Sequence, residues 1–122
     1  NFAQFGNKQG LSVNWATGRF NWVLIGNTSY DLGVTPVAGV WYHIAIVGTS
    51  TQTRLYVNGL LVFTDPYRTS LSSSAVLGCL SMPQASGDGL YAEAKEYRFT
   101  VGVARYSGSS FTVPAWSFPD TA

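Results

Sequence analysis

Apolar and polar residues alternate in short runs along most of the chain, which is the period-two pattern of β-strands. No segment keeps apolar residues at helical spacing over several turns. The runs are rich in β-branched and aromatic residues and are interrupted by Gly, Asn, Pro and Ser. About eight strands with turns at intervals of roughly 8–12 residues are therefore predicted, a pattern typical of a sandwich or barrel.

The strongest predicted strand lies near the middle of the chain, at residues 40–48. It is apolar on both faces, as expected for a central strand covered on both sides. In the strand at residues 19–25, alternation places Phe20, Trp22 and Leu24 on one face. The full set of predicted strands is 11–15, 19–25, 28–32, 40–48, 52–57, 60–64, 75–80 and 90–101.

Two dipeptides predict tight hairpin turns, Gly26-Asn27 and Asn58-Gly59. Gly and Asn tolerate the positive φ that a two-residue turn requires, and Asn-Gly between apolar strands is the strongest local hairpin signal. Residues 102–122 are rich in Pro and aromatic residues. We expect them to form an extended C-terminal tail over the surface of one domain that covers residues 1–122.

Composition narrows the function classes. Only 11% of the 122 residues are charged, against roughly 25% in ordinary soluble proteins, a bias common in β-rich proteins outside cells or in large assemblies. The net charge is +1 and the seven Lys and Arg are scattered, so no nucleic-acid partner is expected. No apolar run reaches the ~20 residues of a membrane span. Cys79 is the only cysteine, which excludes an intrachain disulfide, and its apolar neighbours favour a buried side chain.

The middle of the chain resembles the core hairpin of the laminin G-like, concanavalin A-like jelly rolls. Residues 40–47 are Val-Trp-Tyr-His-Ile-Ala-Ile-Val, and residues 53–62 are Thr-Arg-Leu-Tyr-Val-Asn-Gly-Leu-Leu-Val. The family text is Trp-x-His followed by apolar alternation, a turn, and Leu-Tyr-apolar-Asn-Gly. The resemblance implies an all-β, antiparallel two-sheet jelly-roll sandwich of the lectin/glucanase type, with the tryptophan filling space between the sheets.

A second stretch is similar to one subgroup of that family. Residues 96–106 are Glu-Tyr-Arg-Phe-Thr-Val-Gly-Val-Ala-Arg-Tyr, followed by Phe-Thr-Val-Pro at 111–114. This subgroup is frequent in bacteriophage virion proteins. The resemblance implies a non-catalytic structural or decoration protein on a capsid or tail surface, with glycan contacts. The alternative is a carbohydrate-binding, lectin-like module of a secreted or cell-surface protein.

The chain departs from the family pattern at two places. Lys95 stands where the family has an acidic residue before the Glu-apolar-Arg stretch, which argues against an acidic or metal-linked role there. The family also has a strand pair ahead of the region in which Asn1 lies. We therefore expect the sandwich to lack its first strand or strands, and other virion subunits or a longer parent chain to complete it.

No catalytic pair is predicted. Glycosidases need two carboxyl groups roughly 5–5.5 or 6.5–9.5 Å apart, yet of the six acidic residues only Glu93 and Glu96 share a predicted strand. An odd separation places them on opposite faces. His43, the only histidine, belongs to the hairpin text and is expected to be structural. The chain is therefore predicted not to be an enzyme and to need no cofactor.

Ligand contacts are predicted at aromatic and acidic residues near loops. Aromatic rings stack on sugars and enter interfaces, and Asp65 and Asp88 are expected to lie in loops. No acidic cluster is present, so no metal site is expected. The predicted location is the particle surface of a virion, or alternatively the extracellular space. The candidate ligand-binding residues are Tyr30, Asp65, Tyr67, Asp88 and Trp116.

Overall fold

Seven short strands make up the regular structure that the computed structural model shows for residues 3–5, 9–14, 16–23, 28–66, 98, 100 and 102–115. They are β1 Ala3–Phe5, β2 Gln9–Val13, β3 Phe20–Val23, β4 Ser29–Asp31, β5 Ile44–Gly48, β6 Thr53–Val57 and β7 Leu60–Asp65. One antiparallel sheet has the order β1-β2-β3-β4, and a second has the order β5-β6-β7. This confirms the predicted all-β class with two antiparallel sheets.

The described residues fall into two compact units. The first contains β1 to β4, and the second contains β5 to β7 together with the C-terminal residues 102–115. Among the described residues there is no helix long and apolar enough to cross a membrane.

In the first unit, one face of the sheet carries the apolar core. Leu11 on β2 is in register with Trp22 on β3, which is in register with Tyr30 on β4. Leu11 and Trp22 are completely buried, and Phe20 is 2% exposed. Paired residues in antiparallel strands point to the same side, so alternation delivers these side chains to one face. The prediction that Phe20 and Trp22 share a buried face is confirmed.

In the second unit, a tight hairpin joins β6 to β7. Asn58 has φ of 51° and Gly59 has φ of 80°, the pair of left-handed residues that a type I′ turn requires. The predicted Asn-Gly hairpin is therefore confirmed. Beside it, Ala45, Val47 and Tyr56 form a buried cluster, and Leu61, Tyr106 and Phe111 pack against this cluster.

The long central strand predicted at residues 40–48 is shorter than expected. β5 begins only at Ile44, and Val40 and Trp41 are 52% and 44% exposed. The expectation that this tryptophan fills the core is wrong. His43 explains the late start, because its backbone N–H and carbonyl are both bonded to Asn58 at the hairpin turn. The first regular pair of the β5–β6 ladder is therefore the next one, between Ile44 and Val57.

Other predictions concern residues outside the described ranges. They include Leu24, the Gly26-Asn27 turn, Cys79, and the strands predicted at 75–80 and, apart from Arg98 and Thr100, at 90–101. β1 was not predicted, although its backbone pairs with β2 over Ala3 to Phe5. The C-terminal residues 102–115 contain a single isolated bridge, between Ser110 and Leu60, and otherwise no strand.

Candidate functional site

The face of the first sheet opposite the apolar core carries a row of polar side chains. Ser12 on β2 is in register with Asn21 on β3, which is in register with Asp31 on β4. Arg19, just before β3, reaches the same row through its contact with Asp31. We call these four residues the polar row. Ser12, Asn21 and Asp31 are each adjacent in sequence to Leu11, Trp22 or Tyr30. Because side chains alternate along a strand, the polar row and the apolar core lie on opposite faces of the sheet.

Hydrogen bonds hold the polar row in one arrangement. The Ser12 hydroxyl donates to Asn21 Oδ1 over 2.5 Å. Asp31 Oδ2 accepts from Arg19 Nη1 over 3.2 Å, and its Oδ1 accepts the backbone N–H of Gly33 over 2.7 Å. Each member of the row therefore has at least one hydrogen-bond partner, and the half-exposed Arg19–Asp31 pair is the least restrained of these contacts.

The loop between β2 and β3 positions Arg19. Asn14 donates its backbone N–H to the Arg19 carbonyl over 2.8 Å and accepts from Gly18 N–H over 2.7 Å. Its side-chain oxygen accepts the N–H of Ala16 over 2.9 Å. An Asn that bonds the backbone two residues ahead is a common way to close such a turn. The guanidinium thus leaves a defined backbone position beside the row.

Asn21 is buried but keeps an unused donor. Only 7% of the residue is exposed, and its Oδ1 is occupied by Ser12. Within the part of the chain that the structure describes, no acceptor bonds its Nδ2, and this nitrogen is not among the fully enclosed polar atoms. A nearly buried amide that directs a free N–H to the surface offers a ligand a donor that is already oriented and largely desolvated.

Asp31 supplies the negative charge of the row. The Gly33 backbone N–H, followed by the Arg19 guanidinium, holds the pKa of the Asp31 carboxyl below its usual value, although partial desolvation opposes this shift. The Asp31 and Arg19 side chains are 47% and 50% exposed. Asp31 is therefore ionised at neutral pH, and both charged groups are accessible to a ligand.

The polar row combines donors and acceptors on neighbouring strands. Asn21 and Arg19 provide N–H donors, and Asp31 provides carboxylate acceptors. Adjacent strands lie about 4.8 Å apart, a spacing similar to the width of a sugar ring. No group of three or more His, Cys, Asp or Glu that could hold a metal ion occurs among the described residues. The arrangement suits a polyhydroxyl ligand held by hydrogen bonds.

Two of the candidate residues predicted from the sequence are described, and neither belongs to the polar row. Tyr30 is 42% exposed but lies on the core side of β4, in register with Trp22. Asp65 was expected in a loop, and this placement is wrong. It is the last residue of β7, is in register with Thr53 and is completely buried.

The remaining candidates lie outside the described residues. These are Tyr67, Asp88 and Trp116 as ligand contacts, and the excluded carboxylate pair Glu93 and Glu96. Their roles stay predictions. The sequence did contain a signal for the polar row, because Ser12 and Asn21 alternate with apolar residues. The sequence did not predict the strand register that aligns Ser12 and Asn21 with Asp31.

His43 lies in an aromatic cluster rather than in the polar row. Its ring meets Phe111 edge-on at 5.6 Å and Tyr106 at 6.2 Å between ring centroids. Tyr106 and Phe111 are themselves stacked, with centroids 3.7 Å apart and an interplanar angle of 5°. Burial lowers the pKa of His43. These contacts are those of a packed side chain, in line with the structural role expected from the sequence.

Comparison with known proteins supports the fold assignment. A comparison with curated proteins found no significant match, and a comparison with solved structures found none either. A family model does match, over residues 2–100, and its description is the concanavalin A-like lectin/glucanases superfamily. The match agrees with the all-β structure and its two antiparallel sheets. The chain is therefore a member of the laminin G-like family within the concanavalin A-like lectin/glucanase superfamily.

Proposed function

We propose that this lectin-like module is non-catalytic and binds a glycan at the polar row. The observation that carries the proposal is the amide of Asn21, which is 7% exposed and directs a free N–H to the surface between Ser12 and Asp31. A sugar hydroxyl both donates and accepts, so it can accept from Asn21 while a neighbouring hydroxyl donates to Asp31.

The same geometry argues against hydrolysis at this site. The polar row has one carboxylate, Asp31, whereas most glycosidases use two that flank the scissile bond. A general acid also needs a raised pKa, and the pKa of Asp31 is lowered by Gly33 and Arg19. Asp31 is suited to accept hydrogen bonds from a ligand, not to protonate a leaving group.

We place this module on the surface of a bacteriophage or similar particle, where neighbouring subunits or a longer parent chain contact it. The support is the similarity of residues 96–106 to the virion-associated subgroup and the low charged fraction of 11%. A secreted or cell-surface protein is the alternative. Mass spectrometry of particles purified from the source culture distinguishes the two, because peptides of the chain should be found in the particles and not only in the particle-free supernatant.

Glycan binding is tested with the full chain on a glycan array, followed by calorimetry with the best oligosaccharide. Asn21→Ala removes the free N–H without adding a charge opposite Asp31, and Asp31→Asn removes the charge. Each should weaken binding about tenfold, because one hydrogen bond to a charged or desolvated group contributes on the order of 1.4 kcal/mol or more.

Ser50→Ala is the matched control, because Ser50 is an exposed polar residue in the second unit. It should bind as tightly as the unaltered chain. Absence of binding to every glycan contradicts the proposal. Unchanged affinity in both polar-row variants, with binding otherwise intact, shows that the glycan site lies elsewhere.

A further inference from the structure

We propose that residues 106–111 form a detachable strap, and that the surface on which it docks binds the same strap from a second copy of the chain. The docking surface, here called the acceptor, consists of His43, Tyr56, the Asn58-Gly59 turn and the first residues of β7. This interaction is independent of the glycan site, because it involves only residues of the second unit.

Three hydrogen bonds between described residues join the strap to the acceptor. The Tyr56 hydroxyl donates to the Gly108 carbonyl over 2.9 Å. Leu61 N–H donates to the Ser109 carbonyl over 2.9 Å, and Phe111 N–H donates to the Gly59 carbonyl over 2.8 Å. This is β-augmentation, the addition of an extended segment to a sheet through main-chain bonds. The strap therefore binds as a peptide would.

The aromatic residues at its ends give the strap a shape of its own. Tyr106 and Phe111 stack on each other at 3.7 Å, so the residues between them form a closed loop. Phe111 then meets Tyr56 edge-on at 5.2 Å. A ligand that is already ordered loses less conformational entropy when it binds, and this applies equally to a strap that comes from another chain.

The connection that leads into the strap has open space at Gly102. Gly102 is exposed with φ of 85°, and no atom lies within 4 Å of the place where its Cβ would be. From Gly102 to Tyr106 the chain can span roughly 14 Å when extended. A rotation at Gly102 can therefore carry the strap to a neighbouring acceptor without breaking up the β5-β6-β7 sheet, once the hydrogen bond from Arg105 Nε to Thr100 Oγ1, 3.1 Å long, has opened.

The apolar surroundings of the acceptor favour a second copy as the partner. Leu60, which bridges to Ser110, is 61% exposed, and Val113 is 37% exposed. Both flank the turn, because Val113 lies beside Gly59. In a reciprocal exchange, each copy places its strap on the acceptor of the other copy. The short connection from Gly102 to Tyr106 then holds the two hairpin turns close together. We expect Leu60 and Val113 of the two copies to meet in this dimer and to lose the exposure that they have in the single chain.

Cysteine trapping tests the exchange in the full chain, with Cys79→Ser as the background. Leu60 and Ser110 form the bridge pair, and the bonds on either side of it join Leu61 to Ser109 and Phe111 to Gly59. Such a non-hydrogen-bonded pair has Cα atoms about 4.5 Å apart, within disulfide range. Chains carrying Leu60→Cys are mixed with chains carrying Ser110→Cys, oxidised, and analysed on a non-reducing gel.

We expect a mixed-chain disulfide whose yield rises with protein concentration. Adding Gly59→Ala to the Leu60→Cys chain should reduce that yield at least tenfold, because its Cβ would collide with the Phe111 carbonyl oxygen. Pairing Leu60→Cys with Ser50→Cys is the control for random collision.

A mixed-chain yield no higher than that of the control overturns the proposal if the double variant Leu60→Cys/Ser110→Cys closes its own disulfide. If the double variant does not close, sedimentation equilibrium of the unaltered chain decides. A concentration-dependent dimer that Gly59→Ala abolishes supports strap exchange, and a monomer at all concentrations rejects it.

Discussion

Asn58 bonds the backbone of His43 in both directions. Its N–H donates to the His43 carbonyl over 2.8 Å, and its side-chain Oδ1 accepts the His43 N–H over 2.9 Å. Asn58 therefore has two structural roles. It bonds the His43 backbone, and it adopts the left-handed φ of 51° that the turn requires. Together these bonds fasten the β6–β7 hairpin to the chain that enters β5.

Substitutions at Asn58 separate the two roles. Asn58→Gly keeps the backbone conformation but loses the side-chain acceptor, and should cost about 1 kcal/mol of unfolding free energy. Asn58→Ala loses the acceptor and also strains the backbone, and should cost about 2 kcal/mol or more. Urea denaturation measures both values. Equal losses in the two variants would show that the positive φ contributes nothing.

Gly59 is expected to tolerate a methyl group less well than Gly102. Both have positive φ, but only at Gly59 would the Cβ collide with another group, the Phe111 carbonyl. Gly102→Ala should cost about 1 kcal/mol from backbone strain. Gly59→Ala should cost about 1–3 kcal/mol more, because the strap must move away.

Hydrogen exchange gives the specific readout for Gly59→Ala. The Phe111 and Leu61 amides, which bond across the strap, should exchange faster, while the amides of β3 should not. Equal unfolding free energies for Gly59→Ala and Gly102→Ala would contradict the close approach of the strap to the turn.

Acidification should destabilise the fold through His43. Burial lowers the pKa of His43 from its ordinary value of 6.5, so the folded state binds this proton less readily than the unfolded state. The stabilisation is fully present above about pH 6.5 and is lost as the pH falls from there through the lowered pKa. The unfolding free energy, measured between pH 8 and pH 5, should decrease over this range.

His43→Gln is the matched variant for the pH experiment, because it retains a polar side chain that does not titrate. The decrease between pH 8 and pH 5 should become smaller in this variant. Asp31 contributes in a lower window, below its ordinary pKa of 3.8, so it does not confuse the result. An identical pH profile in the variant and the unaltered chain would rule out His43 as the group responsible.

Trp22 and Tyr30 are in register on neighbouring strands, yet they should differ strongly when truncated. Trp22 is completely buried, whereas Tyr30 is 42% exposed. Trp22→Ala should cost about 3–5 kcal/mol because it leaves a cavity. Tyr30→Ala should cost about 1 kcal/mol. Comparable losses of unfolding free energy in the two variants, measured by thermal unfolding, would mean that Tyr30 on the edge strand β4 contributes as much to core packing as Trp22 on β3.

The sequence predicted local features of the fold well. Alternation placed Phe20 and Trp22 on a buried face, and Asn58-Gly59 marked its turn, because both signals act within a few residues. It overestimated the strand at residues 40–48, where apolar residues continue through Val40 and Trp41. The start of β5 depends instead on Asn58, which lies fifteen residues from His43 in the sequence. Asn58 bonds the backbone N–H and carbonyl of His43, and β5 begins at the next residue.

The candidate site was harder to predict, because it also depends on contacts between residues that are far apart in the sequence. Aromatic and acidic residues near loops were favoured, and these included the buried Asp65. The polar row depends on the registers of β2 with β3 and of β3 with β4. Ser12, Asn21 and Asp31 are individually unremarkable polar residues, and only pairing across three strands makes them neighbours.

The bond from Tyr56 to Gly108 joins residues 52 positions apart in the sequence. The hairpin that carries Tyr56 therefore leaves the ribosome well before the segment that will cover it. At a translation rate of roughly 5–20 residues per second, the strap is synthesised several seconds after the turn. The turn and the apolar residues beside it lack their contacts with the strap during this time. During this interval the strap exchange proposed above meets no competing strap from the same chain.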